Sequence, residues 1–174
     1  MDTTSSTYKK DRLSHATHNE IAAVHLYNNG ECHFPDWVIT AAFYSALNYV
    51  KHKIFPIADM ADGKMQFCYS FEEYLVVNNK EREDKHAVLK NLVKIQCPQI
   101  RTEYEKLMDM CWGARYTEYK IQPEEALNAL ELLSRIRAHC KQDDEWKPVS
   151  AAKTTPKEDT VNSIWREYGA KVCV

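Results

Sequence analysis

The sequence has few residues that break helices, with only four glycines and six prolines among 174 residues. It has no apolar run long enough to cross a bilayer, and its opening residues lack the apolar centre of a signal peptide. We therefore expect a cytoplasmic protein that makes no contact with a membrane. The six cysteines are scattered singly without a C-x-x-C pair, which argues against a structural zinc site or a redox dithiol.

The sequence also lacks the motifs of the common enzymes. It contains no Gly-rich phosphate loop, nucleophile elbow, H-E-x-x-H motif or paired-carboxylate arrangement, so familiar hydrolases and kinases are poor candidates. The formal net charge of −2 argues against a general nucleic-acid coat, so any basic site must be local. We expect no cofactor and no metal site.

Three histidines are the nearest approach to a metal-binding set. His15, His18 and His25 recur at spacings of three and seven, which places them near one face of a helix. Zinc would need a further ligand, for which Glu31 or His33 are the candidates. We interpret the three histidines instead as solvent-facing or dimer-contact residues.

Helical periodicity is what the sequence has in abundance, and it predicts an all-α bundle. An S-x-x-E capping box at Ser70 and Glu73 opens a short helix, and Pro123 suits a first helical position. Residues 57–66 are predicted to form a loop. The other predicted helices cover residues 14–28, 37–55, 84–96, 98–112 and 123–141.

The predicted helix at 37–55 is apolar almost all the way round from Trp37 to Tyr49, which is typical of a helix surrounded by others. We therefore place it at the centre of the bundle. Its Ala42, Ser45 and Ala46 are small enough to let a neighbouring helix approach closely.

The chain divides into a bundle domain at 1–146 and a C-terminal extension at 147–174. The segment "KPVSAAKTTPKEDT" loses apolar periodicity and is typical of a flexible linker. After this linker we predict a short helix at 161–168.

Three segments occur in an informative order: "PDWVITAAFYSALNYV", then "DKHAVLKNLV", then "YEKLMDMCWGARYTEY" followed by "PEEALNALELLSRI". In that order they resemble the aromatic-rich central helix, the His-led helix after the loop, and the closing helix, Arg-Tyr turn and last helix of the HEPN family, the nucleotide-binding domains of higher eukaryotes and prokaryotes. The resemblance covers about residues 14 to 142.

This resemblance implies a HEPN-like bundle of four or five helices that commonly forms a homodimer. It also implies either an RNA-cleaving toxin or defence nuclease, or a non-catalytic partner that binds RNA or a nucleotide in a prokaryotic defence or toxin–antitoxin system. A nucleotidyltransferase is implied as a protein partner by analogy alone.

The chain departs from the catalytic pattern of the family. Catalytic members carry an Arg, a polar residue and a His, with four to six residues between the Arg and the His. Arg115 is followed by "YTEYKIQP" without a histidine, and only three residues separate Arg135 from His139. We therefore favour a non-catalytic module, with an atypical metal-independent endoribonuclease and a protein-binding scaffold as alternatives.

The stretch "SRIRAHC" holds the candidate catalytic residues. Arg135 and His139 lie four apart, hence on one helix face, where they could flank a phosphate, while Arg137 points elsewhere. The alternative, which we favour, is that Arg137, His139 and Lys141 complement the negative C-terminal end of the helix.

The candidate RNA- or nucleotide-binding residues lie upstream of that stretch. Lys90 and Lys94 are one helical turn apart beside His86, and could follow a phosphate backbone. The planar guanidinium of Arg115 beside Tyr116 suits a phosphate or a base. Tyr104 and Trp112 would add stacking surfaces if they line the same groove. The alternatives are a solvated face for the lysines, and for Arg115 an ion pair with Glu118 or a neighbouring helix.

Overall fold

The computed structural model describes residues 3–28, 32–61, 64–117 and 120–141. Within these ranges the chain is mostly helical, and none of the described helices is both long and apolar enough to cross a bilayer. The elements are α1 (Thr3–Asn28), α2 (Pro35–Ile54), β1 (Ile57–Ala61), β2 (Lys64–Cys68), α3 (Phe71–Val77), α4 (Lys85–Gln96), a 3-10 turn (Pro98–Ile100), α5 (Arg101–Tyr116) and α6 (Pro123–Lys141). The predicted extension at 147–174, with its short helix, lies outside the described residues.

Helix α2 is the centre of the bundle, as predicted, because it packs against α1, α4, α5 and α6. Its small residues allow the close approach expected of them. The Ser45 hydroxyl donates a hydrogen bond to the backbone carbonyl of Ala16 at 2.7 Å, so the backbones of α1 and α2 lie close together at this point. Ala42 and Ala46 are fully buried on the same helix.

Trp37 departs from the prediction that α2 is enclosed on all sides. Its side chain is 60% exposed, whereas Val38 and Ile39 directly after it are buried. The buried residues of α2 recur at steps of three and four from these two positions, and Trp37 lies outside that arc. An apolar helix therefore leaves one large aromatic side chain uncovered at its first turn. The N-cap residue is Phe34, and Asp36 lies in the first turn of the helix.

Residues 57–66, predicted to be a loop, instead belong to an antiparallel hairpin. Strands β1 and β2 pair Ile57 with Cys68 and Asp59 with Gln66, while Met65 and Phe67 are exposed. The prediction of an all-α chain is therefore right for the bundle and wrong for this segment. The sequence between the strands reads Asp-Gly, a dipeptide that favours two-residue hairpin connections.

Several helix boundaries are confirmed, and others shift. Helix α6 spans the predicted residues, and the Ser70 and Glu73 capping box opens α3. Asp84 caps α4 by accepting a hydrogen bond from the His86 amide at 2.9 Å. Helix α1 begins well before residue 14, and α5 ends at Tyr116 instead of at residue 112. Arg115 and Tyr116 consequently lie in the last turn of a helix and not in a loop.

A buried polar cluster joins α1, α2 and α6. Glu20 is fully buried and accepts hydrogen bonds from the Arg137 guanidinium at 3.0 Å and the Tyr49 hydroxyl at 2.6 Å. The Lys141 ammonium lies 5.7 Å from the Tyr49 ring centroid. Arg137 points away from Arg135, as predicted, since the two guanidiniums pair with different carboxylates. Arg137 was expected to complement the C-terminal end of the helix, and the structure adds a second role, which is to neutralise Glu20 inside the bundle.

The described cysteines are buried free thiols: Cys32, Cys68, Cys97, Cys111 and Cys140. Burial raises the pKa of Cys111, although the nearby Arg115 opposes this shift. Cys111 is therefore a small residue of the core.

Candidate functional site

A cleft of about 280 Å³ opens between α4 and α5 and brings together several of the residues singled out in the sequence. We call it the α4–α5 cleft. Its volume is just below the range of about 300–1,000 Å³ that is usual for small-molecule sites. It is lined by Phe43, Asp84, His86, Ala87, Lys90, Met108, Asp109, Cys111, Trp112, Arg115 and Tyr116.

Two exposed aromatic rings form one wall of the α4–α5 cleft. Trp112 and Tyr116 are four residues apart on α5, so they share a face, and their ring centroids are 4.6 Å apart with an interplanar angle of 49°. They are 61% and 59% exposed. Large aromatic rings held against each other at a helix surface offer a π-face on which a base can stack.

Arg115 lies beside this aromatic wall and is held in place by tyrosines. Its guanidinium donates a hydrogen bond to the Tyr44 hydroxyl at 3.0 Å and lies 5.0 Å from the Tyr116 ring centroid. Tyr44, and then Tyr116, raise the pKa of Arg115, so the guanidinium stays charged at physiological pH. These contacts leave guanidinium donors for a ligand, because the hydrogen bonds to Tyr44 and Cys111 use only part of the five-donor fork.

Helix α4 forms the opposite wall. His86 and Lys90 are four residues apart and both line the cleft, with His86 packed against the Phe43 ring at a centroid distance of 5.7 Å. Lys94 lies one turn further along α4, exposed and outside the lining of the cleft. The structure therefore brings His86, Lys90, Arg115 and Tyr116 together, with Lys94 at a distance.

The α4–α5 cleft also holds two carboxylates, Asp84 and Asp109. Asp84 uses one oxygen to cap α4, and Asp109 makes no hydrogen bond or ion pair with any described residue. Together they balance the positive charges of Lys90 and Arg115. The cleft is thus close to neutral in formal charge, with an aromatic wall.

A second cavity, of about 700 Å³, lies on the other side of Arg115 and Tyr116, which line both cavities. We call it the Lys120 hollow. The first residues of α2 and the segment leading into α6 contribute to it, so two helix N-termini border the same space. Its lining consists of His33, Pro35, Asp36, Ala114, Arg115, Tyr116, Thr117, Lys120, Ile121 and Gln122.

Tyr104 was predicted to add a stacking surface beside Trp112 if both line one groove. It does not line the α4–α5 cleft with Trp112, because its side chain is fully buried. Burial raises its pKa well above the usual value, and its hydroxyl has no hydrogen-bond partner among the described residues. It packs against Phe43 with a ring centroid distance of 6.0 Å. Position 104 is part of the inward stripe of α5 together with Leu107 and Cys111, so it faces the core.

The candidate catalytic residues lie elsewhere. Arg135 is 65% exposed, and its guanidinium is 3.9 Å from the Glu103 carboxylate, near the start of α5. His139 follows one turn later on α6 and is half-buried. Because Glu103 and Arg115 are twelve residues apart on one helix, the two candidate sites are separated by about 18 Å along α5. The structure does not bring Arg135 and His139 together with Arg115.

The three histidines of α1 are exposed, in agreement with their interpretation as solvent-facing or dimer-contact residues. In the described part of the chain, no group of three or more His, Cys, Asp or Glu side chains is arranged to hold a metal ion. Glu118, the alternative partner of Arg115, lies outside the described residues.

Glu20, Asp109 and Lys120 are the notable residues that the sequence analysis missed. Glu20 interrupts the inward stripe that Ala16, Ala23 and Val24 form at helical spacing, and a lone acid in such a stripe is a signal for a buried ion pair. Asp109 and Lys120 carry no comparable signal, because their significance comes from cavities formed by separate elements.

Comparison with known proteins finds no matching protein-family model, no matching curated protein and no matching solved structure.

Proposed function

We propose that this protein is a non-catalytic, HEPN-like module that binds RNA or a nucleotide at the α4–α5 cleft. One observation carries the proposal: His86, Lys90, Arg115 and Tyr116, which come from separate parts of the sequence, line one cleft with Trp112. Cationic groups beside exposed aromatic rings are the combination that single-stranded nucleic acids use, through phosphate contacts and base stacking.

The geometry supports binding more than cleavage. Cleavage through the 2′-hydroxyl needs a base and cationic groups that converge on one phosphate. Arg135 is beside the Glu103 carboxylate, and the Arg115 cleft is about 18 Å away along α5. An atypical metal-independent endoribonuclease that uses Arg115, Arg135 and His139 is therefore the alternative, and a protein-binding scaffold is the third possibility.

The HEPN assignment, a homodimer and a place in a prokaryotic defence or toxin–antitoxin system are parts of the same proposal. They rest on the order of the three sequence segments. A nucleotidyltransferase as protein partner follows from the same resemblance. Exposed aromatic side chains at Phe34, Trp37 and Trp112 are consistent with a surface that contacts other molecules.

The test is a titration of fluorescently labelled single-stranded RNA with the purified protein in EDTA. We expect binding without cleavage. Trp112→Ala should weaken it about 5- to 150-fold, since loss of a stacked aromatic costs about 1–3 kcal/mol per base. Trp37→Ala is the matched control, because Trp37 is equally exposed but lines neither cavity.

Three other outcomes would contradict the proposal. Equal effects of Trp112→Ala and Trp37→Ala would place the RNA elsewhere. Cleavage that is lost in His139→Ala would favour the nuclease. A wild-type protein that neither binds nor cleaves RNA would favour the scaffold.

A further inference from the structure

The α4–α5 cleft and the Lys120 hollow are two sides of one feature, because Arg115 and Tyr116 line both. Both side chains are exposed and belong to the linings of both cavities, and we call the pair the Arg115 and Tyr116 partition. A ligand longer than one nucleotide can lie across such a partition and occupy both sides.

The two cavities differ in charge. Counting Lys, Arg, Asp and Glu, the α4–α5 cleft has two cations, Lys90 and Arg115, and two carboxylates, Asp84 and Asp109, which cancel. Among the described residues that line it, the hollow has two cations, Arg115 and Lys120, and one carboxylate, Asp36. A phosphate is therefore repelled by the carboxylates of the cleft and is better accommodated in the hollow.

Further features of the hollow favour an anion. It is bordered by the first residues of α2 and by the residues just before α6, and helix N-termini carry partial positive charge, although the Gln122 amide already donates a hydrogen bond to the Glu125 carboxylate. Lys120 is exposed and makes no hydrogen bond or ion pair with any described residue. Its larger volume, about 700 Å³ against about 280 Å³, leaves room for a hydrated backbone.

The α4–α5 cleft has features that favour an aromatic ring over an anion. Trp112 lines this cleft and not the hollow, and Phe43 and Met108 add apolar surface to the cleft. A neutral, flat ring that needs a stacking partner therefore suits this cleft better than a hydrated phosphate does.

We infer that the ligand is a single RNA strand that crosses the Arg115 and Tyr116 partition, with a base stacked in the α4–α5 cleft and the adjoining phosphate in the Lys120 hollow. This inference rests on the proposed function and narrows it from RNA or a nucleotide to a strand of at least two nucleotides. Arg115 contacts the backbone where the strand passes from one cavity to the other.

The inference is tested by calorimetric titration with adenosine, the dinucleotide pApA and hexaadenylate in EDTA. We expect pApA to bind at least tenfold more tightly than adenosine. Lys120→Ala should weaken hexaadenylate binding several-fold and leave adenosine binding unchanged. It should also lower the slope of log affinity against log salt by about 0.7, which corresponds to the loss of one phosphate contact on a single strand.

Lys106→Ala is the control, because Lys106 is exposed on α5 and lines neither cavity. Circular dichroism melting checks that both variants are folded. Equal affinities for adenosine and pApA, or wild-type binding of hexaadenylate by Lys120→Ala, would overturn the inference and leave the proposed function standing. If the wild-type protein bound none of the three ligands, both would be wrong.

Discussion

At the residue scale, Glu20 is the side chain on which the bundle depends most directly. A buried carboxylate is tolerated only when its charge is compensated, and here Arg137 and Tyr49 supply that compensation from two other helices. Removing the carboxylate leaves Arg137, only 14% exposed, without this partner. The pair fixes the relative positions of α1 and α6 on α2.

We expect Glu20→Ala to lower the free energy of unfolding by about 3–5 kcal/mol, which is typical for breaking a buried ion pair from one side. The measurement is urea unfolding followed by circular dichroism. Glu103→Ala is the matched control, since it removes the carboxylate of a surface pair in which Arg135 is 65% exposed. Its expected cost is about 1 kcal/mol or less. An equal loss of unfolding free energy in the two variants would show that the buried pair stabilises the fold no more than the surface pair does.

Cys140 gives a prediction for alkaline pH. Burial, and to a lesser degree the neighbouring Cys97, raises the pKa of Cys140 to about 12 from an ordinary value of 9.0. Between these values the thiol ionises in the unfolded chain but not in the folded one. The stabilisation is therefore complete below pH 9 and is lost as pH rises toward 12.

We expect the free energy of unfolding of Cys140→Ala to fall less steeply than that of the wild-type protein above pH 9. The difference in slope should approach about 1.4 kcal/mol per pH unit, the value for one proton. Urea unfolding at several pH values between 8 and 11 measures it. Parallel curves would contradict the assignment of this thiol as a buried, neutral group.

At the element scale, the N-cap of α4 bears on the candidate site, because α4 forms one wall of the α4–α5 cleft. The Asp84 carboxylate accepts the His86 amide hydrogen bond, and His86 is itself a residue of the cleft. Asp84→Ala should cost about 0.5–2 kcal/mol of stability, whereas Asp84→Asn should cost much less because Asn caps helices about equally well. Thermal melting of the two variants checks this. Equal destabilisation would mean that the charge of Asp84 matters and its capping does not.

Local signals in the sequence were sufficient for several elements. The capping box at Ser70 and Glu73 and the proline at 123 depend only on neighbouring residues, so α3 and the start of α6 could be predicted. The exposure of Trp37 could not, because an apolar helix does not reveal which of its sides a neighbour covers. The α5 boundary was missed because polar Arg115 and aromatic Tyr116 obscure the periodicity of the last turn.

The sequence was sufficient to predict which residues could bind a phosphate or a base, and insufficient to predict which of them would line one cleft. A guanidinium beside Tyr116 and a lysine pair at Lys90 and Lys94 are visible as residue types with phosphate-binding chemistry. That Lys90 lies in the cleft and Lys94 outside it depends on how α4 is rotated against α5, which is set by packing. The separation of Arg135 from Arg115 likewise requires the antiparallel arrangement of α5 and α6.

At the scale of the whole molecule, the exposed aromatic side chains bear on association. We expect a homodimer at micromolar concentration, on the basis of the family resemblance and of exposed rings such as Phe34 and Trp37. Light scattering should then give a mass of twice the 20.3 kDa of one chain. A monomeric mass that persists over a tenfold range of concentration would contradict this expectation.

The central claim is that RNA lies on the surface formed by α4 and α5, and crosslinking locates the RNA most directly. The wild-type protein is bound to single-stranded RNA containing 4-thiouridine, irradiated, digested with trypsin and analysed by mass spectrometry. We predict crosslinks in the peptides at 107–115 and 116–120, which contain Trp112 and Tyr116. Crosslinks confined to the peptide at 138–141, which contains His139, or the absence of any crosslink, would contradict the claim.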